Sequence, residues 1–227
     1  MFITVSGIQI ELERKFIKNM HLCVLPPDGR VRVSAPMFLP EYKIINFITE
    51  KLAWIQKKRA KFDSTQTMVL RSYVTGETLF VWGKPFALSV EPSSRNIPPV
   101  VFEETVRLFV RPESSVAQKQ KLVREWYRSI LKERIEDRLP YWEQVMNLYC
   151  SSWQTKYMTS RWGSCNIKTK KIWLNVQLAS KKPECLDYVI VHELAHLKER
   201  HHDKRFYSIV SEFYPDWKNV KKMLNTL

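Results

Sequence analysis

Residues 185–202 of this chain read CLDYVIVHELAHLKERHH, and no other stretch constrains the fold as strongly. Four of the five histidines fall within these last eleven positions. In His192-Glu193-Leu194-Ala195-His196 the two histidines stand at i and i+4. On a helix that spacing puts both on one face, one turn apart, so both imidazoles can reach a single ion. Zinc accepts such nitrogen ligands in a tetrahedral arrangement. Glu193 follows His192 about 100° around the helix. It need not bind the ion. A carboxylate there can take a proton from a water and later hand it to a leaving amine. The preceding run, LDYVIV, is nearly all apolar, which marks the helix as buried. Polar groups in a buried helix need partners, because leaving them unpaired is costly. A metal supplies them.

A catalytic zinc keeps three protein ligands and one open position. The candidates for the third ligand are His201, His202 and Glu212. On a straight helix His202 would lie about 15 Å along the axis from His192 and could not share the ion. The spacing therefore predicts that the helix ends near Lys198–Arg200 and that the chain turns back. In the metzincin pattern, which has the same offset, a glycine makes that turn. Here Glu199 stands in its place. Glu212 is expected on a following helix.

The formal net charge is +14, with 12 Lys/Arg against 6 Asp/Glu in residues 1–72, 11 against 10 in 73–150, and 14 against 7 in 151–227. The excess is spread over both ends, as a generally basic surface would be. It also permits proximity to nucleic acid, since phosphate contacts need Lys and Arg without a set spacing. The four cysteines form no C-x-x-C pair, and a disulfide framework is not expected. The N-terminus lacks a signal-peptide pattern and no apolar run is long enough to span a bilayer. A cytoplasmic setting without membrane insertion is the expectation. Scarce glycine and plentiful aromatic residues argue against a repeat or low-complexity architecture. Nothing in the sequence sets an oligomeric state.

Along the chain, FITVSGIQIELE, MHLCVL and VRVSAP alternate as strands, with PPDGR as a turn. Residues 39–62 then switch to a helical period through Ile44, Ile45, Ile48, Leu52 and Ile55. Lys57, Lys58, Arg59 and Lys61 near its end favour the helix dipole. Strand pairs are expected around WGKP and within VVFEETVRLFVRP. From Ser114 or Ser115 a long helix follows, with Val123, Tyr127, Ile130 and Arg134 on one face and Pro140 as a kink or break. Residues 152–160 and 171–178 read as strands, and Pro183 opens the histidine helix. Strands and helices do not alternate as in a doubly wound sheet, so the fold class is α+β. The predicted division is a β-rich region with one helix at 1–112 and a chemistry-bearing domain at 113–227.

The segment SRWGSCNIKTKKIWLNVQLASKKPECLDYVIVHELAHLKERHHDKRFYSIV resembles the YgjP-like metallopeptidases, relatives of the SprT-like zinc proteases. The resemblance rests on Trp162-Gly163-Ser164-Cys165, then Leu174-Asn175, then Asp187 to Leu197, then His202 with Phe206-Tyr207 where the family has Phe-Trp. The hairpin region YVTGETLFVWGKPFALSV fits as well. The resemblance implies a zincin-like domain, a protein or peptide substrate, one Zn²⁺ per chain and His202 as the third ligand, with His201 a bystander or a group behind the ligands. Some SprT-like relatives act on DNA-bound proteins.

The resulting expectation is a zinc metallopeptidase with His192, His196 and His202 on the metal and Glu193 as general base. A zinc hydrolase of a non-peptide amide or ester, and a basic nucleic-acid-binding protein with a structural zinc, are the alternatives. Trp162 and Gly163 are candidates for lining a cleft where a peptide adds to an edge strand. Tyr207, and more weakly Arg161, are candidates for stabilising an oxyanion. Cys165 reads as a structural thiol and His21 as an ordinary strand residue.

Overall fold

The computed structural model describes residues 1–25, 29–64, 71–95 and 97–225, with backbone only at 60–64. The turn expected at 26–30 falls mostly outside these residues, as does the side chain of Lys61. The chain divides into two compact units, 1–71 and 72–227.

The first unit is a four-stranded sheet with two helices. Its strands are β1 (Phe2–Val5), β2 (Ile8–Lys15), β3 (His21–Leu25) and β4 (Arg30–Pro36), in the order β1-β2-β4-β3. Alternation puts Ile8, Ile10 and Leu12 on the buried face of β2, and Val31, Val33 and Ala35 on that of β4. These pack with Ile44, Ile48 and Ile55 in one core. The helical pattern expected as one helix is two, α1 (Glu41–Glu50) and α2 (Leu52–Ser64), broken at Lys51.

The second unit opens with β5 (Thr78–Val81), β6 (Lys84–Pro92), β7 (Ile97–Phe102) and β8 (Thr105–Val110), in the order β5-β6-β8-β7. Leu79, Val81, Leu88, Val106, Leu108 and Val110 share a core with Val123 and Trp126 of the long helix α3 (Val116–Met146). That shared core is why the compact units meet at 71/72 and the expected border at 112 falls inside one of them. Two further bonds tie the hairpin down. Tyr127 donates its hydroxyl to the carbonyl of Phe80 (2.7 Å), and the N–H of Trp82 donates to the carbonyl of Ala179 (2.8 Å).

Ser115 caps α3 in a reciprocal capping box with Gln118. Pro140 does not break the helix. It lies on the exposed face, where the carbonyl it leaves unpaired one turn earlier can bond to water. The buried stripe runs through Val123, Trp126, Leu131, Ile135, Leu139, Trp142 and Met146, and Arg134 lies off it, over the ring of Trp82.

A three-stranded sheet follows. Its strands are β9 (Ser152–Lys156), β10 (Gly163–Asn166) and β11 (Lys171–Asn175), with β11 in the middle, parallel to β9 and antiparallel to β10. The run expected as a linker between two strands, around Gly163-Ser164-Cys165, is itself the edge strand β10. A 3₁₀ turn at Val176–Ser180 leads into α4 (Pro183–Ala195), and α5 (Lys204–Phe213) and α6 (Trp217–Asn225) complete the chain. Asp187 fixes α4 to α3. It accepts two bonds from Arg138 (2.8 and 3.3 Å) and one from the indole of Trp142 (3.0 Å).

Candidate metal centre

Proline at the first position starts α4, and apolar residues at almost every position from Cys185 to Val191 bury it. The helix ends at Ala195, a turn before the expected point, and His196 is its C-cap. Leu197 and Lys198 bond back three residues, to the carbonyls of Leu194 and Ala195, which tightens the exit. The chain then reverses through 199–203 without a glycine. Asp203 caps α5 by accepting from the N–H groups of Arg205 and Phe206. His202 is thereby brought back over α4.

Ring nitrogens of His192, His196 and His202 lie within 4.8 Å of one another. The Nε2 atoms of His192 and His202 are 2.9 Å apart, while Nδ1 of His196 faces the carbonyl of Glu199 at 3.0 Å. That last contact leaves Nε2 of His196 for a ligand. A tetrahedral zinc with nitrogen ligands sets them roughly 3.3 Å apart, so the three nitrogens sit at a separation such an ion can hold with small side-chain adjustments. Burial lowers the pKa of all three, that of His192 to about 3. Neutral imidazoles are the form that binds metal. His201 and Glu212 are exposed and stand outside this group.

Phe206, fully buried, lies against all three imidazoles, with ring centroids 4.8, 4.6 and 4.7 Å from those of His192, His196 and His202. It supports the rings from below and excludes water there. The sequence pattern had marked Phe206 only as part of a motif, because its contacts depend on the reversal at 199–203. Tyr188, one turn before His192, meets that ring edge-on at 5.8 Å.

Glu193 is buried at 4% exposure and its Oε2 has no hydrogen-bond partner. Burial pushes its carboxyl up to about 8, with Arg161 pulling the other way. Its neighbour is Gly163. A Cβ at Gly163 would sit 2.5 Å from Oε1 of Glu193 and 2.8 Å from its Cγ, so only glycine leaves the carboxylate its place. The loop that delivers Gly163 is pinned by Asn175, which donates to the carbonyls of Met158 and Arg161 and accepts from Met158 and Gln177. Leu174-Asn175 was visible in the sequence; the task of Asn175 was not.

The other expected residues separate. Trp162 turns away, its indole donating to Asn225 (3.3 Å) with Lys181 over its ring. Tyr207 lies beside His202, 6.2 Å between centroids, and stacks on Trp217 at 4.7 Å. Cys165 is half-buried with its thiol pushed up to about 11 by burial and by Glu193, the behaviour of a packed thiol rather than a thiolate ligand. No helix among the described residues is long and apolar enough to cross a membrane.

Comparison with curated proteins gives no match. Among solved structures the chain is similar to the metallopeptidase zymogen of Pyrococcus abyssi abylysin, at 22% identity over 39% of this chain and 89% of that one, with a TM-score of 0.36. It is also similar to the metallopeptidase zymogen of Methanocaldococcus jannaschii jannalysin, at 24% identity over 39% and 90%, with a TM-score of 0.35. The family model for the YgjP-like metallopeptidase domain matches residues 18–227, and with that span this chain belongs to the YgjP-like metallopeptidase family.

Proposed function

We propose that this chain is a zinc-dependent peptidase in which His192, His196 and His202 hold one Zn²⁺ and Glu193 is the general base of a zincin-like site. The reading is carried by the convergence of three imidazoles within 4.8 Å, next to a buried carboxylate with an unpartnered oxygen. When bound, zinc supplies the Lewis acidity that activates water and polarises a carbonyl at neutral pH. Glu193 holds the proton removed from that water at its carboxylate and passes it to the departing amine. A divalent cation nearby opposes the effect of burial and favours the ionised carboxylate. Phe206 keeps the imidazoles oriented. Gly163 leaves room for Glu193 and lies on the edge strand β10, where an extended substrate can add as a further strand, with Trp162 at the start of that edge. Tyr207 forms a wall beside His202.

Metal content and hydrolysis test the reading together. Wild type is expected to carry about one zinc per chain and His202→Ala much less. Full zinc in His202→Ala would move the third ligand to Glu212 or His201. Glu193→Gln is expected to keep its zinc and lose about a thousandfold in peptide cleavage. Cleavage undiminished in Glu193→Gln would sink the general-base role, and a wild type that takes up no zinc would sink the enzyme reading.

A further inference from the structure

Next to His202 the surface forms a shallow, open cleft of about 630 Å³ that runs along α5 from Lys204 to Ser211 and is closed on one side by the start of α6. Lys204, Tyr207, Trp217 and Lys218 stand on its walls. The polar atoms of the aromatic pair are already engaged. Trp217 donates its indole N–H to Ser211 (2.8 Å), and the Tyr207 hydroxyl accepts from Lys221 (3.3 Å). Oδ1 of Asp203 accepts from the N–H groups of Arg205 and Phe206. Among the described residues, neither Lys204 nor Lys218 forms an ion pair. The cleft therefore offers the ammonium of Lys204, which no ion pair among the described residues claims, that of Lys218, which lies over the ring of Trp217, and one carboxylate, Asp203, whose Oδ1 is taken up by the helix cap.

We propose that this cleft is a substrate subsite that takes the carboxylate side chain of an aspartate or glutamate next to the bond being cleaved. The inference rests on the peptidase reading above and adds the substrate class to it. A basic side chain is disfavoured for a specific reason. The ring faces that would attract a cation are taken by the chain's own lysines, Lys218 over Trp217 at 5.8 Å and Lys221 over Tyr207 and Trp217 at 5.4 and 5.5 Å. A substrate cation would meet those ammonium groups, and a substrate anion would meet complementary charge. The formal charge of +14 acts in the same direction at longer range, drawing acidic polypeptides to the whole surface.

The test uses the full chain loaded with zinc and peptides amidated at the C-terminus, so that a terminal carboxylate cannot stand in for a side chain. Each position flanking the scissile bond carries Glu, Ala or Lys in turn. At one position the wild type is expected to favour Glu over Lys by about fivefold in kcat/KM, the scale of two exposed ion pairs, with the preference fading as salt rises. The Lys204→Glu/Lys218→Glu double variant is expected to reverse that ratio. Equal cleavage of the three series, or a Glu preference that survives the charge reversal, would overturn the proposal. If zinc-loaded wild type cleaves none of the peptides, the hydrolytic reading fails by itself, and fluorescence-detected binding of the same peptides decides the cleft. Tighter binding of the Glu series that is lost in the double variant upholds it; equal binding of Glu and Lys series overturns it.

Discussion

The sheets β1–β4 and β5–β8 are two copies of one topology. Each begins with an antiparallel hairpin, places its fourth strand parallel to its second, and leaves its third strand on the outer edge. The leading hairpins turn through two residues with positive φ, Ser6-Gly7 (49° and 76°) and Trp82-Gly83 (48° and 78°), the pattern of a type I′ turn. The surroundings differ. A Cβ on Gly7 would meet nothing within 4 Å, whereas one on Gly83 would sit 2.5 Å from Cγ and 3.1 Å from the backbone of Lys182, the N-cap of α4. The same turn thus ends one hairpin in open space and locks the other onto the start of the helix that carries His192 and Glu193. A bulky Trp82 in the left-handed region is costly, and its hydrogen bond to Ala179 and contact with Arg134 offset that cost. Glycine identity alone does not say what a turn does; the distance to the next backbone does.

Substitutions can break this contrast. Gly83→Ala should lower stability by about 3 kcal/mol, combining the positive-φ penalty with overlap against Lys182. Urea unfolding followed by tryptophan fluorescence would read it, and a loss no larger than that of Gly7→Ala would remove the docking argument. Gly163→Ala tests a third glycine, held close to a side chain. It should cut kcat about a hundredfold, or about 2.7 kcal/mol, while zinc content and far-UV circular dichroism stay as in wild type. Unchanged kcat would show that Glu193 can accommodate a Cβ at 163. Tyr127→Phe removes the bond from the long helix to Phe80 and should cost about 1 kcal/mol. Its effect should vanish in a Gly83→Ala background if both act on the same docking, which a double-mutant cycle measures. Gly7→Ala should show only the positive-φ penalty, about 1 kcal/mol, with metal content untouched.

The sequence was most readable where chemistry is local. His192, Glu193 and His196 are related by helical spacing, and that spacing alone was enough to put them on one turn. The place of His202 needed a chain reversal, which the length of a straight helix demanded and the family resemblance assigned. Glu199 made that reversal without the expected glycine, because the loop is held by the cap at Asp203 and the carbonyl contact to His196. Contacts between distant segments were not readable: Phe206 beneath the histidines, Gly163 against Glu193, and Arg138 with Trp142 on Asp187. The same holds for the doubled sheet topology. Composition argued against a repeat, but the repetition lies in strand order, and the two hairpins share little beyond the glycine of the turn. Pro140 misled for a related reason, since propensity penalises it in any helix while exposure decides whether the unpaired carbonyl matters.

The contact between β10 and α4 also bears on the order in which the molecule is made. Domains emerging from the ribosome fold from the N-terminal side first. Gly163, Glu193, His192, His196 and His202 all fall within forty consecutive residues of the last third of the chain. Both four-stranded sheets and the long helix precede them. By that rule the first unit, 1–71, is folded before any of the reactive groups are synthesised, whereas the second sheet and the long helix belong to the same unit as those groups and settle together with them, the buried stripe of α3 closing only when α4 is there to cover it.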